Sequence, residues 1–202
     1  MNNLNSLEQQ IRRVVLIVAL ANLAYFFVEF QVAQRIGSVS LFADSIDFLE
    51  DTTVNLLILV AFGWSLKMRS FVGMLLAFIL LIPGIFMLWT AWEKFNLPIA
   101  PDPWMLSATG LGALAVNLGC AFLLARFRDH NSSLTRAAFL SARNDALANI
   151  AIILAGLVTL YWYSGWPDLI VGIGIAILNV DAAKSVWNVA RQEQASAKTE
   201  LI

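Results

Sequence analysis

The sequence predicts an all-α, polytopic membrane protein with six transmembrane helices. Three observations predict it. Of 202 residues, 59% are hydrophobic and 13% charged, whereas a soluble domain carries about 45–50% apolar and about 25% charged residues. The apolar residues fall into six long blocks, and a helix needs about 20 such residues to cross the hydrocarbon layer. Most basic residues stand between blocks rather than inside them.

The first block, 13–35, runs from Arg13 to Arg35. The second, 39–66, follows the turn residue Gly37 and is closed by Lys67 and Arg69. The third, 71–93, holds Pro83-Gly84 at its middle, a pair that kinks helices. The turn-rich NLPIAPDP separates it from the fourth, 104–126. The fifth, 133–163, and the sixth, 167–190, are joined through Ser164-Gly165-Trp166. Short joins predict one helical domain over 1–192, with a polar tail over 193–202 and no room for a further soluble domain.

Composition also narrows the function. A net charge of -1 offers no basic face for phosphates, so nucleic acid is excluded as a partner. A single cysteine, Cys120, builds neither a disulfide framework nor a thiolate site within one chain. The first apolar run is longer than the roughly 7–15 residues of a signal-peptide core. Arg12, Arg13, Lys67, Arg69, Arg126, Arg128, Arg136, Arg191 and Lys198 collect at one set of ends, against Arg35 and Lys94 at the other. That asymmetry predicts cytoplasmic termini. Trp92, Trp104, Trp162 and Trp166 fall where an aromatic belt would lie.

The stretch SLFADSIDFLEDTTVN, residues 40–55, carries Asp44, Asp47, Glu50 and Asp51. An aspartate at the centre of a membrane helix costs about 2.5–3.5 kcal/mol on the insertion scale. Several together must face the bundle interior and bind something. Asp47 and Asp51 are four residues apart and share a helical face, with Asn55 four residues on. The fifth block repeats the spacing in Ser141, Asp145 and Asn149. Asp51 and Asp145 both stand near the middle of their blocks, so antiparallel packing predicts a cation site at the midplane, a common place for transporter cargo.

Three carboxylates without a counter-charge repel, and either a divalent cation or protons relieve the repulsion. The two therefore compete, which is the physical basis for exchanging metal against protons. Asn55, Asn144 and Asn149 are candidates for extra oxygens or for orienting the carboxylates. Arg143 is expected to form a structural pair with Asp44, Glu50 or Glu29. Asp181 is expected to pair with Lys184, His130 to be solvated, Asn117 to hydrogen-bond a neighbouring helix, and Cys120 to pack as a small core residue. Small residues in blocks four and six, among them Gly110, Gly112, Gly119, Gly172 and Gly174, are expected to allow close helix contacts.

These residues resemble the cation diffusion facilitator family. Gly37 followed by SVSLFADSIDFLED is similar to the family's second helix, and VEF with Glu29 to its first. Residues 115–153, with Asn117, His130 and Asp145, are similar to its fourth and fifth helices. Trp166-Pro167-Asp168 resembles the start of its sixth. The resemblance implies a homodimer in a bacterial inner (cytoplasmic) membrane that exports zinc, iron, cobalt or manganese in exchange for protons. It places the four metal ligands on Asp47, Asp51, Ser141 and Asp145, with no cofactor.

The sequence departs from the family twice. Ser141 stands where zinc-type members commonly have histidine, and the usual cytoplasmic C-terminal domain has no counterpart. Zinc favours nitrogen and sulfur ligands, whereas an all-oxygen site suits manganese, magnesium or ferrous iron, with manganese or iron the favoured cargo. No HExxH or intramembrane serine–histidine couple points to an enzyme. The alternative to a transporter is a membrane subunit or sensor that binds a cation without moving it.

Overall fold

The computed structural model describes residues 2–61, 81–125 and 133–178, with single helical positions at 68, 75 and 79. Side chains are described from Gln9 in the first helix and from Asn144 in the fifth. Among the described residues the regular structure is all helical: α1 Asn2–Ile36, α2 Val39–Ala61, α3 Leu81–Asn96, α4 Pro103–Ala125, α5 Ser133–Tyr161 and α6 Trp166–Leu178.

The helix starts follow local chemistry. α1 ends in a Schellman turn: Gly37 takes φ 65° and the Ser38 amide reaches back to the Ala33 carbonyl at 3.0 Å. Ser38 then caps α2, its Oγ accepting the Leu41 amide at 3.1 Å. One residue of left-handed backbone and one hydroxyl thus make a tight α1–α2 hairpin. Asp102 caps α4 in the same way, accepting the Met105 amide at 2.8 Å, with Pro103 in the first helical position.

One expectation of extent changes. α1 begins at Asn2 rather than near 13, because an apolar-run criterion sees only the part in lipid. NNLNSLEQQIR continues the helix with Leu, Gln, Glu and Arg, all good helix formers. The Pro83-Gly84 kink falls at the margin of the described residues.

By length and apolarity, Gln9–Ile36, Pro103–Ala125 and Asn144–Tyr161 qualify as membrane spans. α2 has the length, 23 residues, but its four carboxylates depress its hydropathy. Leu20 (55%), Ile85 (65%), Leu88 (65%), Leu111 (60%), Phe122 (64%) and Leu154 (55%) are exposed on the bundle surface. A soluble monomer rarely shows so much apolar surface, so this face meets lipid. Trp92, Trp104 and Trp162 are exposed as a belt requires. Trp166 is the exception: it packs against the core, its ring edge-on to Phe95 at 6.0 Å.

Side-chain contacts fix helix directions. Phe30 meets Phe42, Tyr25 meets Phe48, and the Thr52 hydroxyl points at the Ala19 carbonyl, so α1 and α2 run antiparallel. Asn117 meets Asn149 and Ser107 points at the Ile153 carbonyl, so α4 and α5 run antiparallel. Tyr25 bonds the Thr109 carbonyl while Asn22 faces Cys120, which makes α1 and α4 antiparallel. α2 and α5 therefore run in opposite directions.

α6 crosses α2 closely enough that a side chain at Gly172 would meet the Ser40 nitrogen and the Val39 carbonyl carbon at 2.7 Å. Gly119 and Gly174, expected to serve close packing, face open space instead. One apolar cluster, with Val39, Phe42, Leu106, Ile152 and Leu169, fills the end of the bundle near Gly37. A second, with Val18, Cys120, Ala121 and Leu124, lies towards the Asn2 end.

Candidate cation site

Polar side chains are buried beside and between these clusters: Asn22, Glu29, Asp44, Asp47, Asn55, Asn117 and Asn149 are all at most 8% exposed. In a bilayer such groups must satisfy one another or hold a ligand.

One hydrogen-bond chain sets the register of three helices. Asn117 Nδ2 donates to Asn149 Oδ1 at 2.9 Å, and Asn149 Nδ2 donates to Asp44 Oδ2 at 2.5 Å. This joins α4, α5 and α2. Asn117 thus bonds a neighbouring helix as expected. Asn149 accepts from Asn117 with its carbonyl and donates to Asp44 with its amide. Asp44 accepts Asn149, and the expected Arg143 pairing falls outside the described side chains. The side chains of Ser141 and Arg143 lie outside the described residues, as do Asp181, Lys184 and His130.

From the Asp44–Asn149 contact the depth of the predicted ligands follows. At 1.5 Å per residue, Asp47 lies about 4.5 Å and Asp51 about 10.5 Å further along α2 towards the Asn2 end. On antiparallel α5, Asp145 lies about 6 Å in the same direction. Asp145 is therefore level with the stretch between Asp47 and Asp51.

Asp47 is buried at 8% exposure, and Asp51 and Asp145 are partly buried. All three make contacts of their own. Among the described residues no three Asp, Glu, His or Cys side chains group tightly enough to hold a metal ion. Asn55 Nδ2 donates to the Asp51 carbonyl at 2.7 Å, and its buried Oδ1 is unpartnered. Asn144 is exposed on α5, away from the buried polar band. Glu50 is partly buried. Ser45, Thr52 and Thr53 return their hydroxyls to carbonyls of their own helix.

The sequence reading missed a second polar cluster, at the Gly37 end. Asp168, fully buried at the start of α6, accepts Ser38 Oγ and Ser40 Oγ at 2.6 Å each. It also accepts the Val39 and Ser40 amides at 2.8 and 3.2 Å and Lys94 Nζ at 2.7 Å. A carboxylate is favoured there because the first amides of a helix point outward unpaired. Lys94 on α3 is only 5% exposed. The available signal was the pairing of Ser38 and Ser40 at a helix start with one acid and one base at the same end. A cavity of about 580 Å³ opens nearby, lined by Gly37, Trp89, Trp92, Glu93 and Lys94, and includes none of the predicted ligands.

Known proteins agree with this architecture. Residues 15–191 match the family described as the cation efflux transmembrane domain. The zinc transporter ZitB of Escherichia coli is 27% identical over 170 residues, 77% of this chain and 52% of that protein. A Bacillus subtilis protein named cadmium, cobalt and zinc/H(+)-K(+) antiporter is 25% identical over 194 residues, 89% of this chain and 61% of that protein. The chain thus spans between about half and three fifths of the length of these relatives. With its helical fold, lipid-facing surface and match over residues 15–191, the chain belongs to the cation diffusion facilitator, or cation efflux, family of membrane proteins.

Proposed function

We propose that the protein is a secondary transporter that moves a divalent metal cation out of the cytoplasm in exchange for protons. Asp47, Asp51, Ser141 and Asp145 are the proposed ligands, and Asn55 and Asp44 support them. The observation that carries this reading is the register set by the Asp44–Asn149 hydrogen bond at 2.5 Å. It supports a site where Asp145 on one helix faces the interval between Asp47 and Asp51 on another. Acidic oxygens at one depth bind either one doubly charged ion or protons, so loading with one expels the other.

The basic residues support cytoplasmic termini. Lys94 does not weaken that argument, because Asp168 neutralises it at 2.7 Å. The family resemblance supports a homodimer. Both relatives carry zinc in their names, while a serine among the ligands favours harder ions, and manganese or ferrous iron is the proposed cargo.

The reading is tested on purified protein in sealed vesicles. A pH gradient is expected to drive metal across the membrane, and a protonophore to slow it. Metal binding without flux under either condition would instead identify a non-transporting subunit or sensor. Ser141→His is expected to shift selectivity towards zinc, because imidazole is a preferred zinc ligand. The measurement is competition between zinc and manganese for transport. Unchanged selectivity would remove Ser141 from the ligand set.

A further inference from the structure

Glu29 and Asp44 stand outside the four proposed ligand positions, and both are fully buried. Their carboxyl groups are close neighbours across the α1–α2 contact. Asn149 satisfies Asp44 Oδ2. Among the described residues, no group other than the facing carboxyl bonds Asp44 Oδ1 or either oxygen of Glu29. Three carboxylate oxygens thus meet inside the bundle, where only a proton shared between the two acids or a bound cation relieves them. Leaving even one buried charge unpaired costs several kcal/mol, and buried charges are normally paired or hold a metal.

Among the described side chains, none around the pair neutralises it. On α1, Tyr25 spends its hydroxyl on the Thr109 carbonyl at 2.6 Å. On α2, Asp47 adds negative charge. On α4, Asn117 is bonded to Asn149. On α5, the Arg143 side chain lies outside the described residues. Lys94 is held by Asp168.

We propose that Glu29 and Asp44 form a second binding station for the transported divalent cation, one helical turn nearer the Gly37 end than Asp47. The inference rests on the transport reading above. Two carboxylates match the charge of one divalent ion, and three free oxygens form half of an octahedral oxygen shell, which waters complete. An ion leaving Asp47, Asp51 and Asp145 towards the Gly37 end meets this pair next. Successive sites let an ion be held and still move on, because each hop replaces one oxygen shell with another.

The test counts ions. Purified parent chain, dialysed to equilibrium against Mn²⁺, is expected to bind two ions per chain. Glu29→Gln combined with Asp44→Asn is expected to lose one of them, and Asp51→Asn combined with Asp145→Asn the other. Glu29→Asp keeps the carboxylate and is expected to retain both. Electron paramagnetic resonance of the parent at saturating Mn²⁺ decides the matter without any variant: dipolar broadening between two ions on one chain is expected. A parent chain that binds a single ion with an unbroadened spectrum would overturn the proposal. So would unchanged stoichiometry in the Glu29/Asp44 variant, including the case where that variant alters only proton dependence. A failed transport reading looks different: two ions bind and no flux follows.

Discussion

Asp51→Asn and Asp145→Asn are each expected to abolish metal transport in sealed vesicles while the protein still inserts and folds. Each change keeps the side-chain shape and removes one negative charge from the proposed ion shell. Changing a group that merely orients a metal ligand already costs about 10–100-fold in affinity. Loss of a charged ligand exceeds that range. Folding is expected to survive because both side chains are only partly buried, so neither anchors the core. The measurement is initial flux per unit of inserted protein, with helicity checked by circular dichroism. Transport at the parental rate in either variant would remove that residue from the site.

Asp168→Ala is expected to act the opposite way, on the fold before the flux. The substitution strands Lys94, at 5% exposure, without its carboxylate, and leaves two helix-start amides and two hydroxyls without their acceptor. Breaking a buried ion pair by removing one partner costs about 3–5 kcal/mol. Thermal melting of the detergent-purified chain is the readout, and a large drop is expected. Adding Lys94→Met should recover part of the loss, because the stranded charge is gone. Melting at the parental temperature would mean that the cluster contributes nothing net.

Most of the fold was legible because lipid imposes a simple rule on sequence. Expected starts at 39, 104, 133 and 167 correspond to helices that begin at Val39, Pro103, Ser133 and Trp166. The polar start of α1 was not legible, since water tolerates a helix that hydropathy does not mark. Within the polar band, the spacing of Asp47, Asp51 and Asp145 could be read along each helix, but their relative depth needed the Asn149–Asp44 contact across 105 positions of sequence. Arg143 was one expected partner of Asp44 because charge attracts charge. The neutral amide of Asn149 reaches Asp44 Oδ2 because α5 places it there, and the Arg143 side chain lies outside the described residues. The Asp168 cluster joins residues 74 and 130 positions apart, so the serines at the start of α2 mark one side of the junction without showing which acid meets them.

The Asp168 cluster also constrains movement. It grips the first residues of α2 by side chain and backbone together, next to a hairpin only two residues long. A 23-residue rod pinned at one tip has a fulcrum there. While the grip holds, α2 can swing but not slide, so displacement grows along its length. Asp51 then travels further than Asp47, and Ala61 further than either. Any opening of the bundle that keeps this pin intact displaces the Ala61 end of α2 most and tapers off before Gly37.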